Sequence, residues 1–359
     1  MERTGTDSKG RLAIPDDLIR TLAIFLVVLL HASLMTLQLY PSSSPNWWAA
    51  SVYKSIALPC VPLFIMLSGA LLLQPVKVNE PIRVFLKKRL SRIGLAFAFW
   101  TAIYTIWSFY ISKTPVTLAN VGQSISFDLF SGAYYQFWFI YLIVGLYLIT
   151  PILRVVITYG GDKMIRYLIV VWFVGVAVVP LLELATGFIL NIDVFVIGGW
   201  IGYFVLGLYL LKVKLRSAVL YGLLVLGFVW TIFGVWLMNF PMVDVQRQNF
   251  FVDSLTANVI IGSVALFMIL LKFRPDWPGS NQTISKRLVQ AISKNTLPIF
   301  LFHILILESF ERGFFGFILS PLTLNPIIEI PLITVLTFFI TLGLVLIMRK
   351  VPILNKLIG

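Results

Sequence analysis

The sequence predicts an all-α, polytopic membrane protein of about ten transmembrane helices with both termini cytoplasmic. Three observations predict this. The 359 residues are 59% hydrophobic and only 12% charged, with a mean hydropathy of +0.95, whereas soluble domains are about 25% charged. The apolar stretches run to about 20 residues without strict alternation, which suits spanning helices and not barrel strands. Finally, the basic residues segregate. A ten-span reading puts 24 of the 28 Lys and Arg on one side and leaves Lys54, Lys113, Arg247 and Arg312 on the other, as the positive-inside rule requires.

A net charge of +13 would suggest nucleic acid in a soluble protein. Here the positive-inside rule is the simpler cause, so membrane lipid and no nucleic acid is the expected partner. The single cysteine, Cys60, rules out a disulfide within the chain and reads as a small buried residue. Arg11 and Arg20 precede an apolar core, as in a secretory signal. No small-x-small cleavage site follows and many more spans do, so the segment is read as retained.

Taken in order, residues 1–15 are polar and basic and are expected to form a disordered cytoplasmic tail. Residues 16–359 then form one ten-span membrane domain. The spans lie near 18–38, 52–73, 93–112, 136–157, 165–185, 196–212, 217–238, 255–271, 296–312 and 329–348. The first opens on Asp16-Asp17-Leu18-Ile19-Arg20-Thr21 and carries His31 deep in its apolar run. Arg20 and His31 are eleven positions apart, about 1100° of helix, so they share nearly one face roughly 16 Å apart. A histidine near mid-bilayer is costly and marks a functional site, unless it only hydrogen-bonds a neighbouring helix. In the second span, Pro59 and Pro62 predict a kink, and Ser68-Gly69 predicts close approach by another helix.

The cytoplasmic segment Lys87-Lys88-Arg89-Leu90-Ser91-Arg92 follows. On a helix Arg89 and Arg92 share a face, and paired guanidiniums suit phosphate. The alternative is an ordinary anchor on anionic lipid. The outer loops are rich in aromatics, including Tyr40, Trp47, Trp48, Tyr134, Tyr135 and Trp138, which read mainly as an interfacial belt. The loop before span four is long enough to cover an outer cleft. No repeat, low-complexity tract or inverted-repeat signal is visible.

These pieces form a set. The chain resembles the acyltransferase-3 family of integral membrane acyltransferases, which includes bacterial enzymes that O-acetylate surface glycans. The resemblance is carried by Leu18-Ile19-Arg20 … His31, by Val61-Pro62-Leu63-Phe64 … Leu67-Ser68-Gly69, and by Arg89-Leu90-Ser91-Arg92. Phe137-Trp138-Phe139-Ile140-Tyr141 … Leu146-Tyr147-Leu148-Ile149-Thr150-Pro151 and Ser293-Lys294-Asn295-Thr296 … His303 complete it. Two departures stand out. Thr21 follows Arg20 where the family often has glycine, and Leu297-Pro298-Ile299-Phe300 replaces the usual start of the ninth span.

The resemblance implies an O-acetyltransferase of the cell (inner, cytoplasmic) membrane. A cytoplasmic acyl-coenzyme A, most often acetyl-coenzyme A, is its donor substrate, and no metal or permanently bound cofactor is implied. A hydroxyl of a glycan or lipid-linked sugar is the acceptor, so polysaccharide modification is the expected outcome. His31 matches the catalytic histidine, as general base or transient acyl carrier. Arg20, Arg89 and Arg92 match the acyl-coenzyme A grip. Ser68, Trp138, His303 and Glu308 are auxiliary candidates. Glu308 and Glu183 are both available to orient His31, and His303 leans towards structure or substrate contact. The rival readings are a proton-coupled secondary transporter of a small polar substrate and a non-catalytic scaffold.

Overall fold

A computed structural model describes residues 14–113, 115, 117–187, 198–239, 249–273 and 284–359. Most of the expected N-terminal tail lies outside these residues, as do Arg247 and Arg274 of the charge pattern. Among the described residues all regular structure is helical.

Helix α1 (Asp16–Leu39) starts after Pro15, and Asp16 and Asp17 place negative charge at its positive end. Helix α2 (Pro45–Ala57) has proline at its first turn and a Ser44 hydroxyl that accepts the Trp47 N–H at 3.1 Å. The chain breaks at Leu58-Pro59, where proline predicts a kink, and resumes as α3 (Cys60–Leu72). Helix α4 (Ile82–Ser112) carries the basic segment and ends on Lys113, which is left-handed at φ 54°. The loop before span four contains a helix of its own, α5 (Leu118–Ser131), capped by Thr117 accepting from Asn120 N–H at 3.2 Å. Helix α6 (Trp138–Phe173) is interrupted at Gly161, whose φ of 61° and ψ of −164° belong to glycine. A π-helical stretch, Val174–Val178, leads into α7 (Val179–Thr186).

The remaining helices are α8 (Gly199–Leu210), α9 (Ser217–Met238), α10 (Ala257–Lys272), α11 (Ile284–Lys294), α12 (Thr296–Glu311), α13 (Pro326–Met348) and α14 (Pro352–Leu357). Pro298, one of the sequence's departures, sits in the first turn of α12, where a missing N–H costs least.

Among the described residues, seven stretches are long and apolar enough to cross a membrane, or eight if α11 and α12 together form one span. The sequence reads ten. The difference lies in two places. Spans 136–157 and 165–185 fall within one 52-residue stretch, Tyr135–Thr186, which as ideal helix is about 78 Å long against a core of about 30 Å. Span 196–212 is represented by α8, with 12 residues.

The chain divides into two compact units. The first comprises Met1–Leu72, Asp162–Lys294 and Ser320–Thr334; the second comprises Leu73–Gly161, Asn295–Leu319 and Val335–Gly359. In the first, α1 packs against α2, α3, α10 and α11, α3 crosses α8, and α9 lies along α10. The α3–α8 crossing is a backbone contact. A Cβ on Gly69 would sit 1.7 Å from the Phe204 carbonyl oxygen, and one on Gly207 would sit 1.9 Å from that of Met66. The close approach expected at Ser68-Gly69 is therefore present. Buried Asn258 ties this unit together by donating to Thr231 Oγ1 at 2.8 Å and to the Phe251 carbonyl at 2.7 Å. In the second unit, α4 packs with α5, α12 and α14. Its core holds Trp100, Tyr104 and Phe137, and the Tyr104 hydroxyl donates to the Leu301 carbonyl at 2.7 Å.

Candidate active site

The residues singled out by sequence divide between the two units. Arg20, His31 and Ser68 belong to the first; Arg89, Arg92, Trp138, His303 and Glu308 belong to the second.

In the first unit α1 is continuous from Arg20 to His31, so the shared face read from the sequence is kept. Arg20 lies 3.7 Å from Asp16, one turn back, and its Nε is closed off from solvent without a hydrogen-bond partner. Thr21 donates to the Val289 carbonyl at 3.3 Å. The threonine that departs from the family's usual glycine thus fastens α11 to the start of α1. His31 is half-buried, with Nδ1 shielded from solvent. Ser68 is half-buried beside the α3–α8 crossing.

This unit also holds a cavity of about 390 Å³ lined by Leu22, Leu26, Leu58, Phe228 and Thr231, among others. Leu22 and Leu26 lie about 200° and 240° around α1 from Arg20, opposite the Arg20–His31 face. The cavity is apolar and belongs to the rear of the helix.

In the second unit Arg89 and Arg92 sit one turn apart near the start of α4. Arg92 is exposed and Arg89 half-buried. The Arg89 guanidinium stands 6.0 Å from the centre of the Tyr147 ring, and its Nε is closed off without a hydrogen-bond partner. A third guanidinium, not singled out by sequence, belongs with them. Arg349 donates from Nε to Asn295 Oδ1 at 2.8 Å and from Nη1 to Asn355 Oδ1 at 2.9 Å. Burial, and then the like charge of Arg92, hold its pKa below the ordinary arginine range. Counting Arg349 only as a positive-inside charge hid this role. The Ser293-Lys294-Asn295 motif gains a physical purpose: its asparagine anchors that arginine.

His303 is wholly buried, and its Nδ1 faces the Phe300 carbonyl at 2.7 Å and that of Ile299 at 3.2 Å. Two acceptors fix the proton on Nδ1 and leave the lone pair of the neutral ring on Nε2.

Glu308 is committed within its own unit. It accepts from Trp107 Nε1 at 2.9 Å and from the Tyr134 hydroxyl, and it lies 3.7 Å from Arg312. These partners give a carboxylate in an apolar helix a structural purpose. Trp138 is 46% exposed, with its ring edge-on to Phe139. Glu183 lies half-buried on α7. Among the described residues no three His, Cys, Asp or Glu side chains converge as a metal site.

An acyltransferase 3 family model, described as an acyltransferase domain, matches residues 17–346. The chain belongs to the acyltransferase 3 family. No curated protein and no solved structure matches it. Membership makes the chain a multi-pass membrane acyltransferase with an acyl donor and an acyl acceptor as substrates, and it sets aside the transporter and scaffold readings. The matched span contains every site residue read from the sequence; of the residues described above, Asp16, Arg349 and Asn355 fall outside it.

Proposed function

We propose that this acyltransferase 3 family member is an O-acetyltransferase of the cytoplasmic membrane. On this reading it has ten spans and both termini face the cytoplasm. It moves an acetyl group from cytoplasmic acetyl-coenzyme A to a hydroxyl of a glycan or lipid-linked sugar. The observation that carries the donor half is the state of two arginines. Arg20 and Arg89 each keep a shielded Nε–H with no hydrogen-bond partner. A buried donor left unanswered costs about 1–3 kcal/mol. A phosphate oxygen answers it with a charge-assisted bond, and coenzyme A brings a pyrophosphate and a ribose phosphate. Within the second unit Arg92, beside Arg349, adds charge next to Arg89.

His31 supplies the chemistry. A neutral imidazole nitrogen takes the acceptor hydroxyl's proton while that oxygen bonds to the thioester carbonyl. The carbon–sulfur bond then breaks, and the imidazolium returns the proton to the departing thiolate. The shared face of Arg20 and His31 lets a thioester arm lie along α1 from one to the other.

Membranes carrying the protein test this reading. Acetyl-coenzyme A should be consumed with release of free thiol, and mass spectrometry should find acetyl groups on cell-surface glycans that vanish without the gene. Arg89→Ala and Arg92→Ala should weaken donor binding, and His31→Ala should lower transfer by about 10²–10⁴-fold in a folded protein. Normal transfer by His31→Ala would overturn the assignment.

A further inference from the structure

Four side chains of the second unit interleave between α4 and α6. Phe85 and Arg89 are one turn apart on α4; Tyr147 and Arg154 are two turns apart on α6. The Arg154 guanidinium stands 4.5 Å from the centre of the Phe85 ring. Phe85 meets Tyr147 edge to face, with centroids 6.1 Å apart at 81°. Arg89 stands in turn over Tyr147, at 6.0 Å. The order is thus cation, ring, ring, cation.

The far end of this row is fixed. Arg154 is 2% exposed, and it donates to Glu80 Oε2 at 2.9 Å and to the Lys77 carbonyl at 3.2 Å. Glu80 and Lys77 belong to the segment that leads into α4. Arg154 therefore pins the approach to α4 and the Phe85 ring at once. A buried guanidinium with a carboxylate partner costs little only if it stays paired, so this end is rigid.

The near end is not saturated. An aromatic face attracts a cation through its quadrupole and uses none of the cation's N–H donors. Arg89 is thus oriented without being consumed, and its shielded Nε–H has no hydrogen-bond partner. This differs from Arg349, whose donors are answered by Asn295 and Asn355.

We infer that Tyr147 is a positioning residue that presents Arg89 to a phosphate group of the donor, with Phe85 and Arg154 as its rigid backing. The inference rests on the proposed reading of Arg89 as a donor-binding residue. It also explains the Leu146-Tyr147-Leu148-Ile149-Thr150-Pro151 motif in part, since Thr150 and Pro151 continue the helix while the tyrosine ring steers an arginine on another helix.

The test uses the purified full-length chain in detergent, with coenzyme A as the titrated probe. Tyr147→Phe keeps the ring and should bind within about twofold of the parent. Tyr147→Leu removes it and should bind about two- to thirtyfold more weakly. A merely structural ring would not respond to its electron density. Phenylalanine, monofluorophenylalanine and trifluorophenylalanine at position 147 should therefore weaken binding stepwise at nearly constant shape. This series decides the matter even where Tyr147→Leu fails to fold. Affinity that stays flat across the series overturns the inference, provided Arg89→Ala does lose binding. If Arg89→Ala binds coenzyme A like the parent, the donor reading itself has failed, a distinct and recognisable outcome.

Discussion

Replacing Glu308 by alanine should loosen the second unit by an amount that its contacts bound. Three donors converge on this carboxylate: Trp107 Nε1 at 2.9 Å, the Tyr134 hydroxyl, and Arg312 at 3.7 Å. The Arg312 contact is a long one, one turn away to an arginine that is itself exposed, and contributes a few tenths of a kcal/mol. The other two are hydrogen bonds inside a membrane protein, worth about 0.6 kcal/mol each on average and about 1.7 at most. Glu308→Ala should therefore cost about 1–3 kcal/mol. Glu308→Gln should cost less, because its amide oxygen still serves Trp107 and its NH₂ finds the Tyr134 oxygen. The assay is reversible unfolding in bicelles, run as a double-mutant cycle with Trp107→Phe. A hydrogen-bonded pair predicts coupling above about 0.5 kcal/mol. Effects that add to within about 0.3 kcal/mol would show that the tryptophan does not depend on the carboxylate, and the reasoning would fail.

Other outcomes follow from single contacts. Gly69→Val places a side chain against a backbone oxygen, 1.7 Å from the position of its Cβ; no rotamer relieves this, so the monodisperse fraction on size exclusion should collapse. Thr21→Val removes the bond to the Val289 carbonyl and should cost about 0.5–1.5 kcal/mol, read as faster hydrogen exchange in α11 that Thr21→Ser restores. Tyr134 is held above the ordinary tyrosine pKa by burial and then by its bond to Glu308. A raised value means the folded state keeps the proton longer than the unfolded state. The stability it contributes is complete below about pH 10 and is lost as pH rises further. Unfolding followed from pH 8 to 12 should show that loss, and Glu308→Gln should shrink it.

The sequence made the helical class plain, because about 20 apolar residues in a row have few other uses. It also made two local features legible. The helical period alone puts Arg20 and His31 on one face, and Ser68-Gly69 announces a crossing that the backbone contact with Phe204 fulfils. Other features needed three dimensions. Glu308 is 201 positions from Trp107 and 174 from Tyr134, and no local pattern joins residues so far apart. Arg154 looked like one more charge at the edge of a span, because a census of basic residues weighs every arginine alike. Its burial depends on Glu80 arriving from a different segment. Helix α5 was hidden because a short helix in a polar loop leaves no long apolar run. The two spans read across 136–185 adjoin with no intervening loop, and the break between them is a single residue, Gly161, whose φ of 61° and ψ of −164° leave the helical region.

The way His303 is tethered to its own helix also limits what that ring can be asked to do. A proton locked onto one nitrogen by two carbonyls cannot be handed onward, so the residue makes a poor relay station. Its other nitrogen can only receive. Whatever faces that nitrogen must therefore be a hydrogen donor, an O–H or an N–H, and never a bare anion.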